Sequence, residues 1–201
     1  MPLTFAVTYD YLCPFARNVH EHLLDGLAAG ADWDVTFTPF SQSQGHVEHG
    51  GTDVWDREDP NAVSGLLAMQ AGIAVRDHDP DRFPEVHREL FAARHDRGED
   101  IRDRDVVAKA LAAGGADVAA TFAIVDGGGP LATIRDEHRH NADDLQIWGV
   151  PTFIAGGRAV FVRLLERPTG ADEAIRRIER VVDLVAGEPD LHEFKQVDLP
   201  F

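Results

Sequence analysis

Residues 9–17, Tyr-Asp-Tyr-Leu-Cys-Pro-Phe-Ala-Arg, join a strand-like run to a helix-like run. Before this stretch, apolar residues alternate with small ones over positions 3–9, which is the period of a strand with one buried face. After it, apolar residues recur every four positions over 15–27, which is typical of a helix that buries one stripe. Cys13, the only cysteine of the chain, lies at the junction.

The position of Cys13 favours a reactive thiol over a core residue. Pro14 follows it at the expected first helical position, where a missing N–H costs nothing. A thiol at a helix N-terminus faces unpaired N–H groups and the positive end of the helix dipole. Both favour the thiolate, so we expect the pKa of Cys13 to lie below the free value of about 8.5. The alternative is a buried cysteine, since free cysteines are commonly buried.

A second motif, Gly149-Val150-Pro151-Thr152-Phe153, opens an apolar run late in the chain. This motif and the first one, in which a strand, a Cys-Pro-aromatic stretch and a helix follow one another, give the chain a pattern that resembles the DsbA-like thioredoxin-fold family. The resemblance is strongest to the branch of FrnE-type proteins and mycothiol-dependent reductases, and more distant to kappa-class glutathione transferases and 2-hydroxychromene-2-carboxylate isomerases. It implies an α/β fold, with a cis-proline at Pro151 that presents the backbone of Val150 beside Cys13.

The chain departs from the usual Cys-x-x-Cys motif of this family, because Ala16 stands where a resolving cysteine would be. A second thiol normally releases a mixed disulfide within the same molecule. Without it, Cys13 can form a mixed disulfide, but its release needs an outside thiol. We therefore expect no tightly bound cofactor, and glutathione or mycothiol as a co-substrate.

The order of the segments predicts a thioredoxin-like domain with an all-helical insertion, as in DsbA-like proteins. Residues 1–40 and 130–201 form the thioredoxin-like domain, and 41–129 form the insertion, which begins as a polar loop over 41–59. Asp59 opens its first helix. Further predictions are N-caps at Asp103 and Asp117, a hairpin around 156–158 with its second strand from Ala159, and a last helix whose capping box pairs Thr169 with Asp172.

Several residues near the two motifs are candidates for the site. The substrate- or thiol-binding set is Pro14, Phe15, Ala16, Val150 and Pro151. A supporting set is Asp10, Tyr11, Arg17 and His138. Asp10 is either a proton acceptor or the end of a strand, and its charge would raise the thiol pKa. Arg17 adds positive charge if its side chain folds back. Tyr11 and Phe15 line the groove or belong to the core, and His138 is more often a core residue than a site residue.

Composition limits the partners. The net charge of −16 argues against nucleic acid and anionic membranes. We see no signal peptide and no apolar run long enough to span a bilayer, which predicts a cytoplasmic protein. The histidine spacings predict no metal site. The expected partner is a small-molecule thiol or a protein thiol or disulfide, and a homodimer stays open.

Three functions fit these patterns. The first is a DsbA-like thiol-disulfide oxidoreductase with one nucleophilic cysteine. The second is a glutathione- or mycothiol-dependent transferase or isomerase, in which the bound thiol reacts. The third is a thioredoxin-fold protein that binds partners without turnover, and the fold alone does not choose between them.

Overall fold

A four-stranded sheet forms the centre of the protein in a computed structural model, which describes residues 1–63 and 65–190. The strands are β1 Leu3–Tyr9, β2 Trp33–Pro39, β3 Thr152–Ala155 and β4 Arg158–Phe161. Their spatial order is β2-β1-β3-β4. β1 runs parallel to β2 and antiparallel to β3, which pairs with β4 as a hairpin. The mixed α/β fold class is therefore confirmed.

Most α-helices lie between the two halves of the sheet in sequence. The helices are α1 Pro14–Ala28, α2 Gln42–Gly45, α3 Leu66–His78, α4 Phe83–His95, α5 Arg104–Ala113, α6 Val118–Asp126, α7 Gly129–Arg139 and α8 Ala171–Gly187. α1 connects the parallel strands β1 and β2, and α8 packs against α1. A π-helical turn, His140–Asp144, follows α7.

The segment 41–129 is helical within its described residues, and the side chains of Asp103 and Asp117 cap α5 and α6 as predicted. Its limits as an insertion stay a prediction, and residues 191–201 of the predicted thioredoxin-like domain lie outside the described part. The polar loop predicted over 41–59 contains the short helix α2 and a 3₁₀ turn, Val54–Asp56.

Three predicted boundaries are wrong. The helix expected from Asp59 forms only a 3₁₀ turn there and restarts at α3, because Gly65 has a left-handed φ of 87°. β4 begins one residue earlier than expected, because the two positive-φ residues Gly156 and Gly157 suffice for the hairpin turn. Thr169 hydrogen-bonds to Glu173 and not to Asp172, since α8 starts at Ala171.

A buried chain of hydrogen bonds ties α4 to β1 and α1. The hydroxyl of Tyr11 lies 2.8 Å from Nδ1 of His87, whose Nε2 lies 2.9 Å from Nδ1 of His20. Nε2 of His20 lies 3.2 Å from the carbonyl of Thr8. Because a carbonyl only accepts, His20 donates to Thr8, His87 donates to His20 and Tyr11 donates to His87. Each ring nitrogen of His20 and His87 therefore has a hydrogen-bond partner while both imidazoles are neutral.

In the described part of the chain, α-helices are too short or too polar to cross a bilayer.

The neutral histidines make the fold sensitive to acid. Burial lowers the pKa of His20 to about 3 and that of His87 well below its ordinary value. Unfolded histidines bind protons below about pH 6.5, so stability is complete above that pH and falls as pH decreases, by ~1.4 kcal/mol per pH unit for each such histidine. Urea unfolding between about pH 6.5 and 5 measures this slope. His87→Leu is expected to reduce the slope of the unfolding free energy against pH. His49→Asn, at an exposed position, is the control and should leave that slope unchanged. A wild-type unfolding free energy that does not change over this pH range would contradict the account.

Candidate functional site

Cys13 is the N-cap of α1, and its sulfur is part of the cap. Its Sγ accepts a hydrogen bond from the Ala16 N–H at 3.4 Å, and Pro14 occupies the first turn. The Cys13 N–H donates to the carbonyl of Asp10 at 3.0 Å, which closes a turn between β1 and α1. β1, the turn and the helix cap together fix the sulfur near the C-terminal end of β1.

The second motif meets Cys13 from the other side. The thiol donates to the carbonyl oxygen of Val150 at 3.4 Å, across 137 positions of sequence, and the Val150–Pro151 bond is cis. The pairing of β3 with β1 brings this loop to the site. Thr152 adds a further contact between β3 and β1, because its N–H donates to the hydroxyl of Thr8 at 2.8 Å.

The expected direction of the thiol pKa is wrong. Cys13 is only 4% exposed, and burial raises the pKa of its thiol above the ordinary value. The N–H groups of Ala16 and Phe15 lower it, the charge of Asp10 raises it and the charge of Arg163 lowers it, but burial is the largest effect. The helix N-terminus therefore acts in the predicted direction without compensating for the loss of water around the sulfur.

Asp10 holds the loop that carries Cys13. Its buried carboxylate accepts the N–H of Leu12 at 2.9 Å and the N–H of Gln42 at 2.8 Å. Burial raises the pKa of this carboxyl to about 6, against the two N–H donors that lower it. Both oxygens are thus used by backbone groups, and Asp10 acts on the sulfur through its charge.

The structure turns Arg17 towards carboxylates instead of towards the sulfur. Its guanidinium contacts Glu21 at 2.9 Å and Asp96 at 2.5 Å, and Arg167 shares Glu21. The positive charge predicted for Arg17 at the thiol is therefore neutralised within α1 and the end of α4.

Tyr11 and His138 belong to the interior. The side chain of Tyr11 is fully buried and bonded to His87, while its backbone carbonyl accepts from Nε2 of His95 at 2.9 Å. Nδ1 of His138 accepts the N–H of Ser41 at 3.1 Å, and burial lowers the pKa of His138 to about 4. Of the predicted aromatic pair, Phe15 alone reaches the surface, where it is half-buried.

Three residues that the sequence analysis did not single out form a series of contacts that starts at Phe15. The guanidinium carbon of Arg163 lies 5.1 Å from the ring centre of Phe15 and 5.8 Å from that of Phe161. Phe161 in turn stacks on Trp148 at 4.7 Å, and Trp148 is 74% exposed. We call Trp148, Phe161, Arg163 and Phe15 the aromatic row. No sequence signal marks it, because its members come from three separate segments.

A cavity of about 550 Å³ lies beside the Cys13 loop, where Leu12 forms part of its wall. Gln42, His46 and Arg57 supply polar groups to it. In the described ranges, no group of three or more His, Cys, Asp or Glu side chains has the arrangement of a metal site.

This geometry, a cysteine at a helix N-terminus facing the residue before a cis-proline, defines a thioredoxin-fold thiol protein. The sequence matches the model of the DSBA-like thioredoxin domain over residues 5–167. The chain therefore belongs to the DsbA-like family, whose members are thiol-disulfide oxidoreductases. The comparison with curated proteins gave no match.

Solved structures show the same fold at low sequence identity. Cytosolic disulfide reductase DsbM from Pseudomonas aeruginosa aligns with a TM-score of 0.62 and 20% identity, over 90% of this chain and 100% of that chain. ScsC from Proteus mirabilis aligns with a TM-score of 0.58 and 16% identity, over 94% and 85%. Reduced DsbA1 from Neisseria meningitidis aligns with a TM-score of 0.58 and 17% identity, over 93% and 86%.

Removing the charge of Asp10 should lower the pKa of the Cys13 thiol. In Asp10→Asn the buried negative charge that opposes the thiolate is absent, so alkylation by iodoacetamide should rise at a lower pH than in the wild-type protein. The wild-type midpoint is expected above about 8.5. Rates of Cys13 labelling against pH, followed by mass spectrometry, measure both midpoints. Asp34→Asn, at the far end of β2 opposite Thr4, is the matched control. An unchanged or higher midpoint in Asp10→Asn would show that the carboxylate does not act on the sulfur.

Proposed function

We propose that this protein is a thiol-dependent disulfide reductase that works through Cys13 alone, with a low-molecular-weight thiol as co-substrate. The observation that carries the proposal is the placement of the only sulfhydryl group between the Ala16 N–H and the Val150 carbonyl. A substrate disulfide that reaches Sγ lies next to the Val150 carbonyl, which loses the thiol hydrogen bond when Cys13 ionises. Val150 and Pro151 then form the substrate-contact edge, and Pro14, Phe15 and Ala16 its opposite wall.

The chemistry balances with an outside thiol. The Cys13 sulfur loses its proton to solvent and attacks one sulfur of a disulfide R–S–S–R′. The S–S bond breaks, R′–S⁻ leaves and takes up a proton, and Cys13–S–S–R remains. A second thiol, R″–SH, then attacks the R sulfur as its thiolate and restores Cys13, with R–S–S–R″ as the product. The site needs no resolving cysteine at Ala16 for this cycle.

The raised pKa favours the reducing direction. The reduced form of a thiol of high pKa lacks the stabilisation of a thiolate, which favours its conversion to the mixed disulfide. DsbA is a strong oxidant for the opposite reason, since its cysteine has a very low pKa. The burial that raises the Cys13 pKa therefore supports a reductant, and a reducing compartment such as the cytoplasm supplies the thiols that it consumes.

The co-substrate is proposed to be glutathione or mycothiol. One of the similar solved structures is DsbM from Pseudomonas aeruginosa with GSH, which supports a small thiol at this kind of site. The proposed relation to FrnE-type and mycothiol-dependent reductases rests on the Cys-Pro-Phe-Ala stretch and on the motif around Pro151.

A second candidate, a glutathione- or mycothiol-dependent transferase or isomerase, is favoured by the burial of Cys13. If the bound thiol is the reacting group, the protein sulfur need not ionise. Cys13→Ser separates the two, because transfer or isomerase activity would persist in that variant and disulfide reduction would not.

Incubation with glutathione disulfide and, separately, mycothiol disulfide tests the proposal. We expect a single adduct on Cys13 by intact-protein mass spectrometry, its removal by added free thiol, and its absence in Cys13→Ser. Trp148 gives a second readout, because it is the exposed tryptophan next to the site and its fluorescence should change with the adduct.

Failure of every disulfide, including small uncharged ones, to modify Cys13 above its thiol pKa would contradict the reductase. An adduct that free thiol cannot remove would also contradict it, because the cycle depends on that release.

A further inference from the structure

Arg163 is a cation beside the active sulfur that pairs with no carboxylate and makes no hydrogen bond to any residue in ranges 1–63 and 65–190. Arg17 and Arg167, the neighbouring candidates, are both engaged by Glu21 and Asp96. In a chain with a net charge of −16, an exposed arginine that pairs with no carboxylate among the described residues calls for an explanation.

The guanidinium of Arg163 contacts aromatic rings, and no residue in the described part of the chain accepts a hydrogen bond from its N–H groups. It lies over the rings of Phe15 and Phe161, at 5.1 and 5.8 Å from their centres. Arginine stacks on aromatic faces while its N–H fork stays free to meet a carboxylate with two parallel hydrogen bonds. The residue itself is exposed, so an incoming group can reach it.

The position of Arg163 connects it to the reacting sulfur. Phe15 is in the first turn of α1, two residues after Cys13, and the positive charge of Arg163 lowers the pKa of the Cys13 thiol. Phe161, which contacts Trp148, lies against Gly149, the residue before Val150, whose carbonyl accepts the thiol hydrogen bond. A substrate bound at Val150 thus has the aromatic row along one side.

We propose that Arg163 is a specificity-determining residue, which binds a carboxylate of the disulfide substrate and selects anionic, carboxylate-bearing thiols over uncharged ones. This inference rests on the proposed reductase function and names its substrate class. Long-range repulsion from an acidic surface disfavours an anionic disulfide, so local attraction at the sulfur is needed to select it. The reaction is the exchange given above: Cys13 bonds to one substrate sulfur and the other sulfur leaves as the thiol.

Two disulfides of different charge test the proposal. Glutathione disulfide carries carboxylates and hydroxyethyl disulfide carries no charge. The second-order rate constant for the Cys13 adduct is measured with each, in the wild-type protein and in Arg163→Gln. The change in thiol pKa caused by the substitution affects both reactions alike, so the ratio of the two rate constants isolates recognition of the carboxylate.

We expect Arg163→Gln to lower the ratio about tenfold, equivalent to ~1.4 kcal/mol. Arg163→Lys keeps the charge without the planar fork and should recover part of it. Arg180→Gln is the control, since Arg180 is an exposed arginine of α8 away from the site and should leave the ratio unchanged. High salt should narrow the difference in ratio between the wild-type protein and Arg163→Gln, because it screens the attraction that only the wild-type protein provides.

An unchanged ratio in Arg163→Gln overturns the inference, and so does a ratio that falls in Arg57→Gln alone, which would place the carboxylate in the cavity beside Leu12. The uncharged reagent separates the two levels of the argument. If hydroxyethyl disulfide modifies wild-type Cys13 while the ratio ignores Arg163, only the assignment of Arg163 fails. If neither reagent modifies Cys13, the reductase function fails and this inference fails with it.

Discussion

The removal of water from the Cys13 sulfur is the constraint on which the site depends. At the N-terminus of α1 the sulfur meets an N–H donor from Ala16, which favours the charged form. On its other side it meets the carbonyl of Val150, which can only accept and so favours the protonated form. Burial adds to the second effect and exceeds the first. The resting sulfur is therefore a neutral thiol held in position for exchange, and its reactivity depends on what a substrate changes around it.

The helical region contributes to this site through the loop that carries Cys13. α4 fixes the loop at two points, since His87 accepts from the Tyr11 hydroxyl and His95 lies at the Tyr11 carbonyl. The start of α2 fixes it at a third, where Gln42 donates to Asp10. Because two of these contacts come from α4 and the third from α2, the position of the sulfur depends on the correct packing of both helices against the loop.

The sequence was sufficient for the parts of the fold that local patterns encode. Alternation over β1, the Pro14 start of α1 and the caps at Asp103 and Asp117 each have a local physical cause, and each prediction is confirmed. The charge balance at the site has no local cause. Arg17 was a reasonable candidate one turn after Cys13, but its partner Asp96 is distant in sequence, and Arg163 reaches the site only through the β3–β4 hairpin. The direction of the thiol pKa was missed for the same reason, because burial is set by the whole fold.

Infrared spectroscopy of the S–H stretch is the most direct test of the central claim, because the chain has one sulfhydryl and few other protein groups absorb in that region. A neutral, buried thiol that donates to Val150 predicts an S–H band at neutral pH, displaced from that of free cysteine and absent in Cys13→Ser. The same band should persist above the pH at which free cysteine ionises. A spectrum without the band at neutral pH would show a thiolate in the resting protein, and would contradict the account.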